Sequence, residues 1–454
     1  MKIPSGMKEV FGVDSNNICL QLDKSIYGLV QAARQWFTTF MNVMKMLDFK
    51  RARIDPCLLS RMDDRGTVLL VVYVDDICLI GDKDSIDAAI KDIEKEFTIK
   101  KVGTLKEYIG VTVERKTDEI HLTQLDIIEK MEHEFRDLLK NVKEYESPMG
   151  SNVSILRPKE QDKLITDDMQ KRYRSGVGSL LYLVKHTRPD LSNSVRELAK
   201  VLDGATEAHL KFLVRAIKYT LDTKKYALRM KPSTDMTAEW KLEAYCDSDY
   251  SGDRDNRLSV TGYIIHVLGV PVAWKSRAQR SVTLSSTEAE YVAVSEVCTE
   301  ILFIKQVLEF LGVKIAYPIV VNVDNIGAIY LAKNETMGQR TKHIDVRHHF
   351  VREYIEDGIV KIVFVRSEDN LADPFTKNVK QQIFDQHALK HLVRGNEFVG
   401  INKDSGIVKQ GGCRENETRK VMFPNSKFET KDSEIENDNS KFETEEWTEV
   451  RRRR

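Results

Sequence analysis

One tetrapeptide limits the folds open to this chain more than any other feature. Tyr73-Val74-Asp75-Asp76 lies between the apolar runs Leu69-Leu70-Val71-Val72 and Ile77-Cys78-Leu79-Ile80. The flanks read as two strands with a buried face, and two adjacent carboxylates between them are costly to desolvate unless something cationic compensates them. A hairpin whose turn offers paired aspartates to a divalent metal supplies that compensation. An ordinary polar Asp-Asp turn is the simpler alternative, and the choice rests on acids further along the chain.

With 454 residues there is room for two or three domains. No run of about 18 apolar residues occurs, so no membrane span is expected, and Met1 to Gly6 lacks the apolar stretch of a signal peptide. An intracellular location, cytoplasmic or nuclear, is expected. Six scattered cysteines (Cys19, Cys57, Cys78, Cys246, Cys298, Cys413) show no metal-ligand spacing and point to reduced thiols. The net charge of zero argues weakly against nucleic acid as a partner. However, nine acidic residues and three lysines fall between Asn425 and Val450, so the rest of the chain is more basic and a local basic groove is open to it.

Periodicity divides the chain. A helix from Tyr27-Gly28-Leu29 towards Met46 precedes the two strands around Asp75 and Asp76. A helix from Ser85, as N-cap, to Phe97 follows, then strands at Tyr108 to Val113 and Ile120 to Leu122 and a helix from Gln124 to Leu139. From Asp167 to Leu228 the pattern is helical, broken at Thr187-Arg188-Pro189-Asp190. From Trp240 it becomes three strands, helix, strand, helix, strand, helix. Gly269 marks a tight turn, and Ser285 with Glu288 has the spacing of a capping box. After Lys380 the composition turns polar, with Asn425-Ser426-Lys427-Phe428-Glu429-Thr430 repeated at Asn439 to Thr444 and a terminal Arg451 to Arg454 run; a disordered tail is expected.

In the second half, acids stand where a purely structural role is hard to assign. Asp247 closes one strand, Asp324 follows another, Asp373 opens a helix, and Glu290 belongs to the apolar stripe of Val294, Val297, Ile301, Ile304, Leu308 and Leu311. Each alone has an ordinary reading: strand-end turns for Asp247 and Asp324, a favourable helix-start charge for Asp373, an edge residue for Glu290. Together they fit one convergent site, and oxygen ligands without Cys or His point to magnesium or manganese. Glu288 competes with Glu290, but its capping spacing gives it a structural task.

These residues carry a resemblance. Tyr73 to Asp76 resembles the palm motif of reverse transcriptases, and Leu22 to Trp36 is similar to the version in copia-type LTR retrotransposons. Tyr173 to Leu183 and Thr187 to Asp190 resemble that family's connecting region. Asp247-Ser248-Asp249-Tyr250-Ser251-Gly252, Ser285 to Ala293, Val323-Asp324-Asn325 and Thr341 to Arg347 resemble its ribonuclease H domain. The likeness runs from Met1 to about Lys380 and implies the C-terminal part of a Pol polyprotein.

The resemblance implies an α+β / α/β multidomain protein: a partial reverse-transcriptase palm and thumb (1–145), a helical connection (146–235), a ribonuclease H-like mixed-sheet domain (236–380) and the tail (381–454). It implies polymerase metal ligands at Asp75 and Asp76, a ribonuclease H tetrad of Asp247, Glu290, Asp324 and Asp373, and Mg2+ or Mn2+ as cofactor. The implied partners are RNA·DNA hybrid, single-stranded nucleic acid and other polyprotein parts, with virus-like particles as one location. His343, His348 and His349 alternate with Arg340, Lys342, Arg347 and Arg352, which favours a basic, hybrid-facing segment over a metal site. A palm also needs a third aspartate, which the family places upstream of Met1. Asp14 and Asp23 are the only candidates here and neither ends an apolar strand. Polymerase activity is therefore expected to be absent. The alternative to an active ribonuclease H is a non-catalytic nucleic-acid-binding remnant.

Overall fold

The computed structural model describes residues 25–26, 28–233, 239–333, 345–394 and 416–422. The chain divides into two compact units, Met1–Thr104 with Cys413–Arg454, and Leu105–Gly412. Expected boundaries at 145 and 380 do not coincide with this division. Among the described residues no helix is long and apolar enough to cross a membrane, and Cys57, Cys78, Cys246 and Cys298 form no disulfide.

The first unit is an antiparallel sheet of β1 (Lys50–Arg51), β2 (Leu58–Asp63), β3 (Gly66–Tyr73), β4 (Asp76–Asp82), β5 (Lys100–Thr104) and β16 (Asn416–Met422), with α1 (Ala32–Met46) and α2 (Lys83–Glu96). The order is β1-β2-β3-β4-β16-β5. Val68, Leu70 and Val72 alternate inward along β3 and meet Phe40, Val43 and Met44 of α1 and Ile86, Ala89 and Ile93 of α2. Ser85 is not the N-cap of α2. Asp82 holds that position, and Ser85 is buried within the first turn. The Asp82 carboxylate does not cap the helix; it accepts from the Thr67 N–H at 3.1 Å.

In the second unit, β6 (Glu107–Tyr108), β7 (Val111–Arg115), β8 (Ile120–Thr123), β9 (Ala227–Met230) and β15 (Leu392–Val393) form a sheet of order β15-β9-β8-β7-β6. This pairing puts Glu107–Arg115 in the second unit. It also places a strand where a helical connection was expected and another inside the expected tail. Strands of two to five residues are too short for periodicity to reveal.

Helices α3 (Leu125–Glu134), α4 (Asp167–His186), α5 (Ser192–Ala199) and α6 (Glu207–Asp222) share a core of Phe135, Tyr173, Leu180, Leu198 and Leu213. The break at Thr187 to Asp190 does more than stop a helix. Arg188, fully enclosed, donates from Nε and Nη2 to the two Asp190 oxygens at 2.9 and 2.7 Å. Tyr219 donates to Asp190 Oδ2 at 2.8 Å, and Thr223 Oγ1 accepts from Arg188 at 2.8 Å. Residues 381–394, expected to be tail, belong to this core: Phe384, Ala388 and Leu389 are buried in it. His391 Nε2 lies 3.1 Å from His266 Nε2. The rest of the expected tail, other than 416–422, lies outside the described residues.

The same unit contains a mixed sheet of β10 (Trp240–Asp249), β11 (Val260–Val267), β12 (Val270–Ala278), β13 (Ile315–Val323) and β14 (Val360–Phe364). Its order is β12-β11-β10-β13-β14, antiparallel from β12 to β10 and parallel from β10 to β14. Leu268 and Gly269, both at positive φ, make the tight turn between β11 and β12. Helix α7 (Ser286–Phe310) buries Val294, Val297, Ile301 and Leu308 against this sheet, and α8 (Ile326–Lys333) and α9 (Asp345–Glu356) join it.

Candidate metal centre

Parallel strands bring two of the aspartates level. β10 and β13 pair in register through Tyr245 and Asn322; continuing two residues sets Asp247 beside Asp324. On the other side of β10, Asp247 faces Gly262 of β11. A Cβ on Gly262 would stand 2.6 Å from Thr376 Cγ2 and 2.8 Å from Phe375 Cβ, so only glycine lets the short helix α10 (Asp373–Thr376) lie against the sheet here. Asn370 Nδ2 donates to the Cys246 carbonyl at 2.9 Å and holds the approach to α10. As a result, one carboxylate oxygen from each of Asp247, Asp324 and Asp373 lies within 4.8 Å of the others.

Glu290 comes from the opening turns of α7. Its Oε1 accepts from the Ser248 N–H at 3.1 Å, while Oε2 is buried without a hydrogen-bond partner. Glu288 is occupied otherwise. Its N–H donates to the Ser285 hydroxyl at 3.1 Å and its carboxylate accepts from the Leu284 N–H at 2.7 Å. The capping spacing is thus realised one residue further out than a reciprocal box.

Crowded carboxylates show in their acidities. Burial, then the charges of Asp247 and Asp324, pushes Glu290 up to about 9. Burial, then the charge of Asp373, pushes Asp247 up to about 7. Asp373 is also raised, by burial first. Lys377 moderates the repulsion: its Nζ lies 3.1 Å from Asp373 Oδ1. Burial works to lower the ammonium's pKa, but Asp247, Asp373 and Asp249 outweigh it and raise the net value. Thr376 donates to Asp247 Oδ2. A largely buried set of oxygen donors, with Asp324 half-buried and Glu290 Oε2 unpartnered, fits a hard divalent cation.

Sequence reasoning missed Lys377, Thr376, Ser248 and Gly262. A signal existed for Lys377. Pro374 marks a helix start at Asp373, and a lysine four residues on from that aspartate is placed to pair with it.

The Asp75–Asp76 hairpin is a different kind of site. Tyr73 pairs with Asp76, leaving a two-residue turn with Val74 at φ 52°, a conformation that β-branched residues rarely take. Asp75 is raised by partial burial, then by the charge of Asp76. Lys420 Nζ of β16 lies 3.2 Å from Asp76 Oδ2. Among the described residues no third acid, histidine or cysteine joins the pair. The candidate upstream aspartates Asp14 and Asp23 lie outside the described residues, as do His343 and the side chain of His348. His349 is exposed on α9, and Arg352 pairs with Glu356 at 2.7 Å.

Residues 1–149 match the family described as "Reverse transcriptase (RNA-dependent DNA polymerase)", which sets the class of the N-terminal third. Over most of its length the chain is similar to Pol polyproteins of transposons. The "Retrovirus-related Pol polyprotein from transposon TNT 1-94" of Nicotiana tabacum is 32% identical over 396 residues, covering 85% of this chain and 29% of that protein. That from transposon RE1 of Arabidopsis thaliana is 32% identical over 382 residues, covering 83% and 25%. Together these matches support a fragment of a copia-type retrotransposon Pol polyprotein. It spans 29% or less of the length of these relatives. Among solved structures it is similar to LC11-RNase H1 isolated from compost, with TM-score 0.24 and 16% identity over 32% of this chain and 96% of that one.

Proposed function

We propose that the second unit is a metal-dependent ribonuclease H that cuts the RNA strand of RNA·DNA hybrids. The observation that carries this reading is the convergence of Asp247, Asp324 and Asp373 within 4.8 Å, with Glu290 outside that trio but buried, held by the Ser248 N–H and near enough to feel the charges of Asp247 and Asp324. These four residues would hold Mg2+ or Mn2+. A divalent cation there supplies activation of a water and charge compensation at a phosphodiester. Thr376 orients the Asp247 carboxylate, the Ser248 N–H orients Glu290, and Lys377 offsets negative charge next to Asp373. Choice of the hybrid would rest on helix shape and on the 2′-hydroxyl of the cut strand.

In this reading the Asp75–Asp76 hairpin does not support nucleotide addition, because Asp76 already carries an ion pair with Lys420. The test is cleavage of a labelled hybrid by the full chain with Mg2+. Glu290→Gln and Asp324→Asn should each abolish cleavage with an unchanged circular dichroism spectrum. Full cleavage by either variant, or by the wild type in excess chelator, would overturn the assignment. Template-dependent primer extension lost on Asp75→Asn would overturn the reading of the hairpin.

A further inference from the structure

In the first unit, chain order and sheet order disagree at one place. β3 and β4 form a hairpin, α2 follows, and the chain returns as β5, yet β5 does not pair with β4. Between them is a slot one strand wide, and β16 fills it from more than 300 residues further along the chain. It pairs antiparallel on both sides, from Asn416↔Asp82 to Met422↔Asp76 on β4, and from Arg419↔Thr104 to Met422↔Lys100 on β5. With neighbouring strands about 4.8 Å apart, β4 and β5 stand roughly twice that distance apart and cannot pair directly.

The insert is built for both faces of the sheet. Val421 is buried in the core that holds Ile77 and Leu79. On the other face Lys420 lies opposite Cys78 and reaches diagonally to Asp76, with Nζ 3.2 Å from Oδ2. Arg419 pairs with Asp87 of α2. The seat on β5 is looser: the register shifts between Lys420 and Val421, and a cavity of about 260 Å³ lies among Ile90, Lys101, Gly103, Thr104, Arg419 and Lys420.

We infer that residues 416–422 are an insert strand that closes the first unit's sheet within the same molecule, and that Lys420 takes at Asp76 the place of a divalent cation. The core fixes the register, because a slip by one residue would turn Val421 outward and Lys420 into the apolar layer. This inference rests on strand pairing and stands independently of the four-acid site.

Lys420→Cys in the full chain puts a thiol directly across from Cys78, while Arg419→Cys puts one on the opposite face. A short bifunctional thiol reagent, with peptide mapping by mass spectrometry, should link Cys78 to the introduced thiol in the first variant about tenfold faster than in the second, within one chain. Equal linking in both variants, no link in the first, or a link between two chains would overturn insertion in the same molecule. For the cation's place, ferrous iron with ascorbate and peroxide cuts backbone next to bound iron. The wild type should be left whole at Tyr73 to Asp76, and Lys420→Met should be cut there. Equal cutting in the two, strong or absent, would overturn the role given to Lys420.

Discussion

Replacing Glu290 by glutamine isolates the electrostatic cost of the four-acid cluster. The Glu290 carboxyl, pushed up to about 9 by burial and then by Asp247 and Asp324, keeps its proton in the folded protein at pH values where the unfolded chain has lost it. Its contribution to stability is therefore fully present below the unfolded pKa, near 4.5, and is lost as pH rises towards 9. From pH 7 this one group accounts for a fall of about 1.4 kcal/mol per pH unit, the value of one proton's difference in binding, and the slope drops to about half that as pH reaches 9. Asp247, pushed up to about 7, adds to the slope mainly below that window. His266 and His391, lowered to about 4 and about 3 by burial, act in the opposite sense and also below it. In chelator, native-state hydrogen exchange of the β10 and β13 amides, corrected for intrinsic rates, should show wild-type stability falling with pH relative to Glu290→Gln. The difference should accumulate to roughly 2–3 kcal/mol across the window. Saturating Mg2+ should remove most of it, because the cation binds only the ionised folded cluster. Parallel pH profiles for wild type and variant in chelator would refute the argument that Glu290 shares a buried site with Asp247 and Asp324.

Asp190→Ala leaves the enclosed Arg188 without its bidentate partner and should cost about 3–5 kcal/mol in urea unfolding of the second unit; a loss near zero would show that water or Thr223 replaces the carboxylate. Phe384→Ala should cost about 3–5 kcal/mol by the same measurement, since the ring is buried in the helical core; a surface-like effect would restore the residues after Lys380 to a tail. Gly262→Val should push α10 off β11 and weaken Mg2+ binding, read by calorimetry on the folded full chain. Unchanged affinity would show that α10 does not need that close approach.

The sequence alone determined the elements that carry long-period patterns and the identity of the acids. α7 was legible because its apolar stripe, from Val294 to Leu311, runs over about five turns. Glu290 was separable from Glu288 because a residue three after a serine N-cap has a local task, whereas one on the apolar stripe must face the core. The strands that carry Asp247 and precede Asp324 were legible from alternation, although β10 runs on to Asp249, so Asp247 lies within it and does not close it as expected. What joins those strands was not legible. That Asp247 and Asp324 stand level depends on the β10–β13 register, and that Asp373 reaches them depends on Gly262 having no side chain. Both are pairings between residues far apart in the chain, which no local period encodes. The same reason explains the larger differences. β9 and β15 are too short to leave a pattern, Phe384 and Leu389 sit in a stretch whose composition is polar, and β16 is seven residues followed by a charged segment. Such segments gain order from a partner already in place, a sheet edge or an apolar surface, so their fate was decided only by the tertiary structure that supplies it.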